Sequence, residues 1–584
     1  MSSYGPRRSV ELIDSRVGLA FGVFILLLAV AVGRAFYLGT FRSGALQAAA
    51  SSEHIQTVPI PALRGEITDR SGVVLALSEQ ADEVIADPYL IKQPQQAAKE
   101  LAPLLGLTMT ETLADLTEPN TGYVDLTSNV TAATATRIMK LAINGISDQP
   151  VENRMYPRDQ QAAQVLGWVN GSGTGAAGLE YLFNRQLAGT SGVSRIINDA
   201  NGKPIQVDTV KPMVPGSTLQ LTLSTPLQSE VEQVLAQVGS EYEPKGATAI
   251  VTDPQTDQIL AIANWPTYNA NDITSADVQG VKGQTPAIED QAVDLSYEPG
   301  STFKAITVAG ALDDDLVTPY TTFDVPPYLE EYGHKITDAE PHGYEDLTVA
   351  NILKYSSNIG ADLIGQRLGA SRFAGWVSRF GFGKPTGVSL AGEQSGLIRP
   401  LSQYYNFSMY NLPFGQGESV TPMQMVQAYD AIADGGILRT PQLIDSIGGR
   451  KVAEPKGKRI ISKRVASELR DMLRGVLTDG GTASGAAING YDMAGKTGTA
   501  QVAVNGKYSQ TAYIASFIGM VPASAPKLVV AVIVDQPQGV IYGGSVAAPA
   551  FQKIVGWAVP YFGINPCPNP CPSSAYQGNS PSTP

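Results

Sequence analysis

Between Arg16 and Arg34 the chain carries no charged or strongly polar side chain. A helix over residues 17–33 would span ~26 Å at ~1.5 Å per residue, against a hydrocarbon core of ~30 Å. Ala35-Phe36-Tyr37-Leu38 lengthens the run, places an aromatic near the interface and leaves Arg34 able to snorkel. The pattern predicts a membrane anchor over residues 17–38. A cleaved signal peptide is the alternative, with Ala29-Val30-Ala31 as its small-residue site, but the apolar run continues past it. Arg7, Arg8 and Arg16 precede the run. They predict a cytoplasmic tail over residues 1–16, with everything after the anchor outside.

Residues 39–245 alternate polar and Gly-containing stretches with short strand-like runs, such as 83–86 and 219–223. Helical patches occur near 96–105 and 132–143. The pattern changes near Lys245. Residues 247–251 and 258–263 read as two strands around the turn Asp253-Pro254-Gln255-Thr256-Asp257. Residues 514–520 and 528–534 flank a Pro-containing turn and give a second hairpin, followed by an apolar, helix-compatible stretch at 547–559. Between the hairpins the chain is mostly helical. Strands at both ends with helices between predict one α+β domain over residues 246–563, its sheet closed by distant segments. Residues 564–584 are uncharged and rich in Pro and Ser, and read as a disordered tail.

Composition narrows the chemistry. The 584 residues carry a net charge of -13, with 41 Lys+Arg and no dense basic block, which argues against nucleic acid as a partner. There are three His (His54, His334, His342) and two Cys (Cys567, Cys571). That excludes a Cys-rich zinc site and a disulfide-built scaffold. A catalytic base other than His is expected. Cys567 and Cys571 lie in Cys-Pro-Asn-Pro-Cys, where a local disulfide suits an extracytoplasmic tail.

Three short motifs could carry chemistry. In Tyr297-Glu298-Pro299-Gly300-Ser301-Thr302-Phe303-Lys304, Pro-Gly makes a sharp entry and Ser301 opens an apolar helical run. Positions i and i+3 share a helix face, so Lys304 can face Ser301. A serine is a poor nucleophile until a neighbour takes its proton, and a desolvated lysine can do so. Alone, the motif is weak and reads rather as an N-cap serine with a surface lysine. Lys354-Tyr355-Ser356-Ser357-Asn358 puts Ser356 and Asn358 into an apolar helical stretch, and alone reads as a cap cluster. Gly495-Lys496-Thr497-Gly498-Thr499-Ala500 leads into a strand. Its edge could pair with an extended peptide, Gly498 would allow close approach, and the Thr497 and Thr499 hydroxyls could bind a carboxylate. Alternation points Lys496 to the other face, and spacing alone gives it no role.

Together, Ser-x-x-Lys, Ser-x-Asn and Lys-Thr-Gly in this order form the set shared by penicillin-binding proteins and serine β-lactamases. The stretch also resembles the transpeptidase domain of class B penicillin-binding proteins at Gly381-Phe382-Gly383, Thr386-Gly387, Phe414-Gly415-Gln416-Gly417 and Val420-Thr421-Pro422. Arg64-Gly65-Glu66-Ile67-Thr68-Asp69-Arg70, Arg154-Met155-Tyr156-Pro157 and Gly178-Leu179-Glu180 resemble that class's pedestal domain, which would occupy residues 39–245 and position the catalytic domain above the membrane.

The resemblance implies a peptidoglycan DD-transpeptidase, also acylated by β-lactams. Ser301 would be the acyl-enzyme nucleophile and Lys304 its base. Ser356 would relay protons, Asn358 would line the cleft, Lys496 would orient Ser356, and Thr497, Gly498 and Thr499 would hold the substrate's terminal carboxylate. The oxyanion hole would be the N–H groups of Ser301 and Thr499. No metal or cofactor is needed. Implied partners are stem peptides on lipid-linked glycan strands, a SEDS-type membrane glycosyltransferase and other divisome proteins at the inner (plasma) membrane. Residues 64–88 look more like the division enzyme than the elongation enzyme. A β-lactamase, a DD-carboxypeptidase or a non-catalytic sensor on the same fold are the competing readings.

Overall fold

The structure, a computed structural model, describes residues 8–42, 55–198, 204–281, 283–405, 407–504, 506–568 and 570–576. Arg7 and the other residues of 1–7, and 577–584 of the tail, lie outside the described residues. The chain divides into two units, Met1–Ala62 with Thr190–Val214, and Leu63–Gly189 with Pro215–Pro584.

In the first unit, α1 (Arg8–Thr40) runs through the apolar segment without a proline. Among the described residues, Arg16–Thr40 is the one helix long and apolar enough to cross a membrane, and its side chains are exposed. A helix apolar on all sides with no protein around it fits lipid rather than water. The same unit holds a three-stranded antiparallel sheet of Ile55–Ile60, Gly192–Asn198 and Pro204–Lys211, with Gly192–Asn198 in the middle.

The second unit begins with a mixed sheet. Its longest strand, Val74–Ala86, pairs antiparallel with Val124–Val130 and with Ile146–Met155. Helices Pro94–Leu105 and Ala132–Met139 bury Leu101 and Ile138 beside it. The expected run at 219–223 becomes Leu219–Leu221, parallel to Ile67–Thr68. Its other neighbour is Ile444–Ile447, a strand from far along the chain. The three upstream motifs meet at one carboxylate: Glu180 accepts from Arg64 Nε at 2.5 Å and from Arg154 Nε at 2.7 Å, with all three side chains at most 2% exposed.

Helix α2 (Thr225–Tyr242) follows. Its first N–H, from Thr225, is held by Asp69 Oδ2 at 3.1 Å. Burial pushes the Asp69 carboxyl up, but bonds from Ser71, Thr225 and Val73 outweigh it and leave the group lowered.

The remainder is the expected α+β domain. Strands β1 (Gly246–Asp253) and β2 (Gln258–Trp265) form the first hairpin. Helices α3 (Lys304–Asp313), α4 (Val349–Tyr355), α5 (Asn358–Leu368) and α6 (Pro422–Ala433) come between the hairpins. Then follow β3 (Ala494–Val504), β4 (Lys507–Val521), β5 (Leu528–Asp535) and α7 (Gly543–Tyr561). The sheet order is β2-β1-β5-β4-β3, antiparallel throughout, so segments from the two ends of the domain meet where β1 pairs with β5. All of β5 is buried because both faces are covered. Val529, Ala531 and Ile533 enter the core formed with α3 and α6, while Val530, Val532 and Val534 enter the core formed with α2 and α7.

The tail departs in part from the disordered reading. Cys567 and Cys571 form a disulfide, the Cys567 N–H donates to Gly490 O at 2.8 Å, and Tyr576 packs edge-on against Tyr320. Backbone donors otherwise left to water thus find partners on the domain.

Candidate active site

Ser301 lies in a 3-10 turn, Gly300–Phe303, that leads into α3. Residues i and i+3 eclipse in such a turn, which puts Lys304 on the same side as Ser301. Gly300 begins the turn at φ +54°, a left-handed conformation that disfavours other residues, so the sharp entry expected from Pro299-Gly300 is built here. The Lys304 side chain is 0% exposed. Its Nζ donates to Ser356 O at 2.5 Å, Asn358 Oδ1 at 2.8 Å and Ser356 Oγ at 3.3 Å.

Ser356 is held in an unusual place. It caps the C-terminus of α4 with φ +62°, and its N–H closes the helix on Ile352 O. A left-handed non-glycine residue costs free energy and recurs at functional sites. Here it presents both the carbonyl and the hydroxyl of one residue to Lys304. Ser357 then caps α5, accepting from Gly360 N–H at 2.8 Å, so Asn358 starts that helix.

Lys496 reaches the same hydroxyl. Its Nζ donates to Ser356 Oγ at 2.8 Å, and it too is 0% exposed. The third motif lies on β3, the edge strand of the sheet, as expected. A Cβ on Gly498 would sit 2.3 Å from Ser516 Oγ and 3.1 Å from Thr302 Cγ2. Glycine is therefore required where the strand meets the Ser301 turn. Gly498 and Ala500 share a face with Lys496, which resolves the residue that alternation left without a role. That face packs on the Ser301 turn, and Lys496 extends beneath it to Ser356.

Thr497 and Thr499 lie on the other face. Thr497 Oγ1 pairs with Thr482 Oγ1 at 2.8 Å, and Thr499 Oγ1 accepts from the Gly543 N–H, at the start of α7, at 3.0 Å. A cleft of about 990 Å3 is bordered by Ser301, Ser356, Asn358, Thr497 and Thr499. Lys304 and Lys496 lie behind its wall. The Ser301 hydroxyl has no hydrogen-bond partner among the described residues and faces the cleft.

Burial lowers Lys304 to about 7, with Asp338 and Asp362 pulling it up. Burial also lowers Lys496 well below its ordinary value, and the Lys304 charge adds to the effect. Two buried amines share one half-buried hydroxyl, and the Lys304 charge disfavours the Lys496 cation. A proton placed on Ser356 Oγ can be passed to either side.

Sequence reasoning missed three groups. Asp338 Oδ1 accepts the N–H groups of Asn358 (2.5 Å) and Ile359 (3.0 Å), fixing the start of α5, and its Oδ2 lies 3.1 Å from His342 Nε2. Asp362 is buried on α5. Thr482 comes from a turn ahead of β3. None sits in a motif, and only folding brings them near Lys304 or Thr497. His334 and His342 both border the cleft, but the ring nitrogens of His342 are engaged by Asp338 and by Gly343 O.

Residues 247–556 match the family model of the penicillin binding protein transpeptidase domain, and residues 59–221 match that of the penicillin-binding protein dimerisation domain. The chain is 32% identical over 579 residues to stage V sporulation protein D of Bacillus subtilis, covering 97% of this chain and 88% of that one. It is 30% identical over 573 residues to the peptidoglycan D,D-transpeptidase FtsI of Escherichia coli, covering 96% and 95%. Among solved structures it resembles penicillin binding protein 3 of Mycobacterium tuberculosis complexed with ampicillin, with a TM-score of 0.69 and 28% identity, covering 89% of this chain and 100% of that one.

Proposed function

The chain belongs to the class B penicillin-binding proteins, the peptidoglycan D,D-transpeptidases that β-lactams acylate, and from this we propose how its own residues divide the reaction. Ser301 Oγ attacks the carbonyl of the penultimate residue of a D-Ala–D-Ala stem, and Lys304 Nζ takes its proton. The N–H groups of Ser301 and Thr499 receive the oxyanion, a contribution of roughly 10²–10³ in rate per donor in such sites. The C–N bond breaks, and the leaving D-Ala amine gains its proton through Ser356 Oγ, which Lys496 holds in line. The acyl group stays on Ser301 until an amine of a neighbouring stem attacks, with the same relay run in reverse. Asn358 anchors Lys304, and Thr497 and Thr499 hold the terminal carboxylate, with Gly498 keeping the strand against the nucleophile turn. A β-lactam enters the first half of this sequence and stops there.

The observation that carries the reading is the convergence of Lys304 and Lys496 on Ser356 Oγ, at 3.3 and 2.8 Å. Labelling of the purified ectodomain by a fluorescent penicillin tests it. The wild-type protein should be labelled stably and Ser301→Ala should not. Rapid turnover of the β-lactam, or undiminished labelling of Ser301→Ala, would refute it.

The same reading extends to setting. The similarity to a division-type relative along nearly the whole chain supports a septal role. Residues 59–221 match a dimerisation domain, not a glycosyltransferase module, and on that ground we assign glycan polymerisation to a separate membrane glycosyltransferase, which we propose is of the SEDS type. Arg7, Arg8 and Arg16 ahead of the apolar helix support a cytoplasmic N-terminus and an extracytoplasmic catalytic domain.

A further inference from the structure

The chain has three histidines, and the mechanism above uses none of them. One is nonetheless engaged at both ring nitrogens. His342 lies in residues 337–344, a loop without helix or strand that joins the strand His334–Ile336 to the strand Glu345–Thr348 and borders the cleft. Its ring is 13% exposed. Nδ1 lies 2.7 Å from Gly343 O, and Nε2 lies 3.1 Å from Asp338 Oδ2. A carbonyl oxygen only accepts. Asp338 also acts as a carboxylate, because its Oδ1 accepts the N–H groups of Asn358 at 2.5 Å and Ile359 at 3.0 Å. Both ring nitrogens therefore face acceptors, and the ring that satisfies both is the imidazolium.

From Asp338 the contacts run on to the base without a gap. Asp338 Oδ1 and Ser357 Oγ between them take the N–H groups of Asn358, Ile359 and Gly360, which α5 cannot bond internally. Asn358 Nδ2 donates back to Thr337 O at 3.0 Å, so loop and helix start are fastened from both sides. The amide oxygen of Asn358 is thereby turned to Lys304 Nζ, at 2.8 Å. Burial lowers Lys304, and Asp338 leads the charges that oppose the effect. Asp338 thus keeps one oxygen on the helix, and His342 holds the other.

We propose that His342 is a positioning residue for acylation: its protonated ring pins Asp338, Asp338 pins the start of α5, and Asn358 then holds Lys304 against Ser356. The inference rests on the reading of Lys304 as the base. The proton of Ser301 Oγ still goes to Lys304 Nζ, and His342 and Asp338 exchange none. Without the imidazolium, Asp338 Oδ2 is left to water. The carboxylate can then swing off the helix start, and Asn358 loses its hold on Lys304.

The test is a double-mutant cycle on penicillin acylation at neutral pH, with His342→Leu, Asp338→Asn and both together in the full chain. His342→Leu should lower the first-order acylation rate constant about tenfold, within the ~10² that a misplaced group costs, and leave the dissociation constant of the penicillin unchanged. The double variant should be no slower than Asp338→Asn alone. Losses that multiply, a wild-type rate in His342→Leu, or a loss confined to the dissociation constant would each overturn the proposal. A melting scan identifies a His342→Leu protein that fails to fold, and His342→Ala then takes its place. Nitrogen NMR of labelled histidine gives a separate signature, since three rings leave few signals to assign. His342 should show both ring nitrogens protonated in the wild-type protein; a bare nitrogen there would overturn the pinning. Acylation that survives Lys304→Ala would instead overturn the base assignment, and this inference with it.

Discussion

Lys304 is a cation by chemistry placed where cations are disfavoured. Burial brings it to about 7, so near neutral pH a large fraction is free amine and able to accept a proton. Acylation by a β-lactam should therefore climb with pH through about 7, followed as the rate of fluorescent-penicillin labelling. Lys304→Ala should abolish labelling, a loss of roughly 10²–10⁴ for a missing general base, without unfolding the domain. The stability signature has a definite sign. Between about 7 and the ordinary 10.5, the unfolded lysine holds a proton that the folded one lacks. The lysine's stability penalty is thus complete below about 7 and fades as pH rises to 10.5. Wild-type stability measured against Lys304→Ala should improve across that window; a constant difference would mean that Lys304 is not deprotonated by folding. At this scale the sequence was readable where a motif carried the residue, as with Ser301, Lys304, Ser356 and Asn358. Asp338 was not, because its importance lies in which helix start the folded chain brings beside it.

The elements show the same division. Both hairpins and the final helix were legible, because apolar alternation, turn residues and run length are local signals. The order β2-β1-β5-β4-β3 is not local, although the need to close a sheet between distant hairpins pointed toward it. Ile444–Ile447 escaped notice, since nothing in four residues says that their partner is Leu219–Leu221. The upstream motifs were recognised by likeness but not understood. The structure explains them as one buried ionic hub, Arg64 and Arg154 on Glu180. Removing the acid leaves two guanidinium groups uncompensated in the core. Glu180→Ala should cost roughly 3–5 kcal/mol, read from urea unfolding, and Glu180→Gln should recover only part of it. A loss below 1 kcal/mol would show that water reaches the arginines.

On the scale of the molecule, one apolar helix near the N-terminus and an acidic remainder with few histidines frame the proposed topology. A reporter that works only outside the cytoplasm, fused after residue 584, should be active. Activity of a cytoplasm-restricted reporter at the same position would reverse the assigned orientation. The scarcity of His and Cys is consistent with a site assembled from Ser, Lys, Asn and Thr.

The strand Ile444–Ile447 has one more consequence. It completes a sheet begun by residues upstream of the catalytic stretch, and β-pairing does not depend on chain continuity. A protease cut in the connection between Leu221 and Gly246 would thus yield two fragments that stay together until denaturant separates them. A recombinant piece begun at residue 246 would instead carry Ile444–Ile447 with its Leu219–Leu221 side bare, a template for unwanted pairing with other copies. Boundaries drawn by sequence families mark where inheritance is modular. In this protein the hydrogen-bond ladder crosses such a boundary, and for expression, truncation or domain exchange the ladder is the unit to respect.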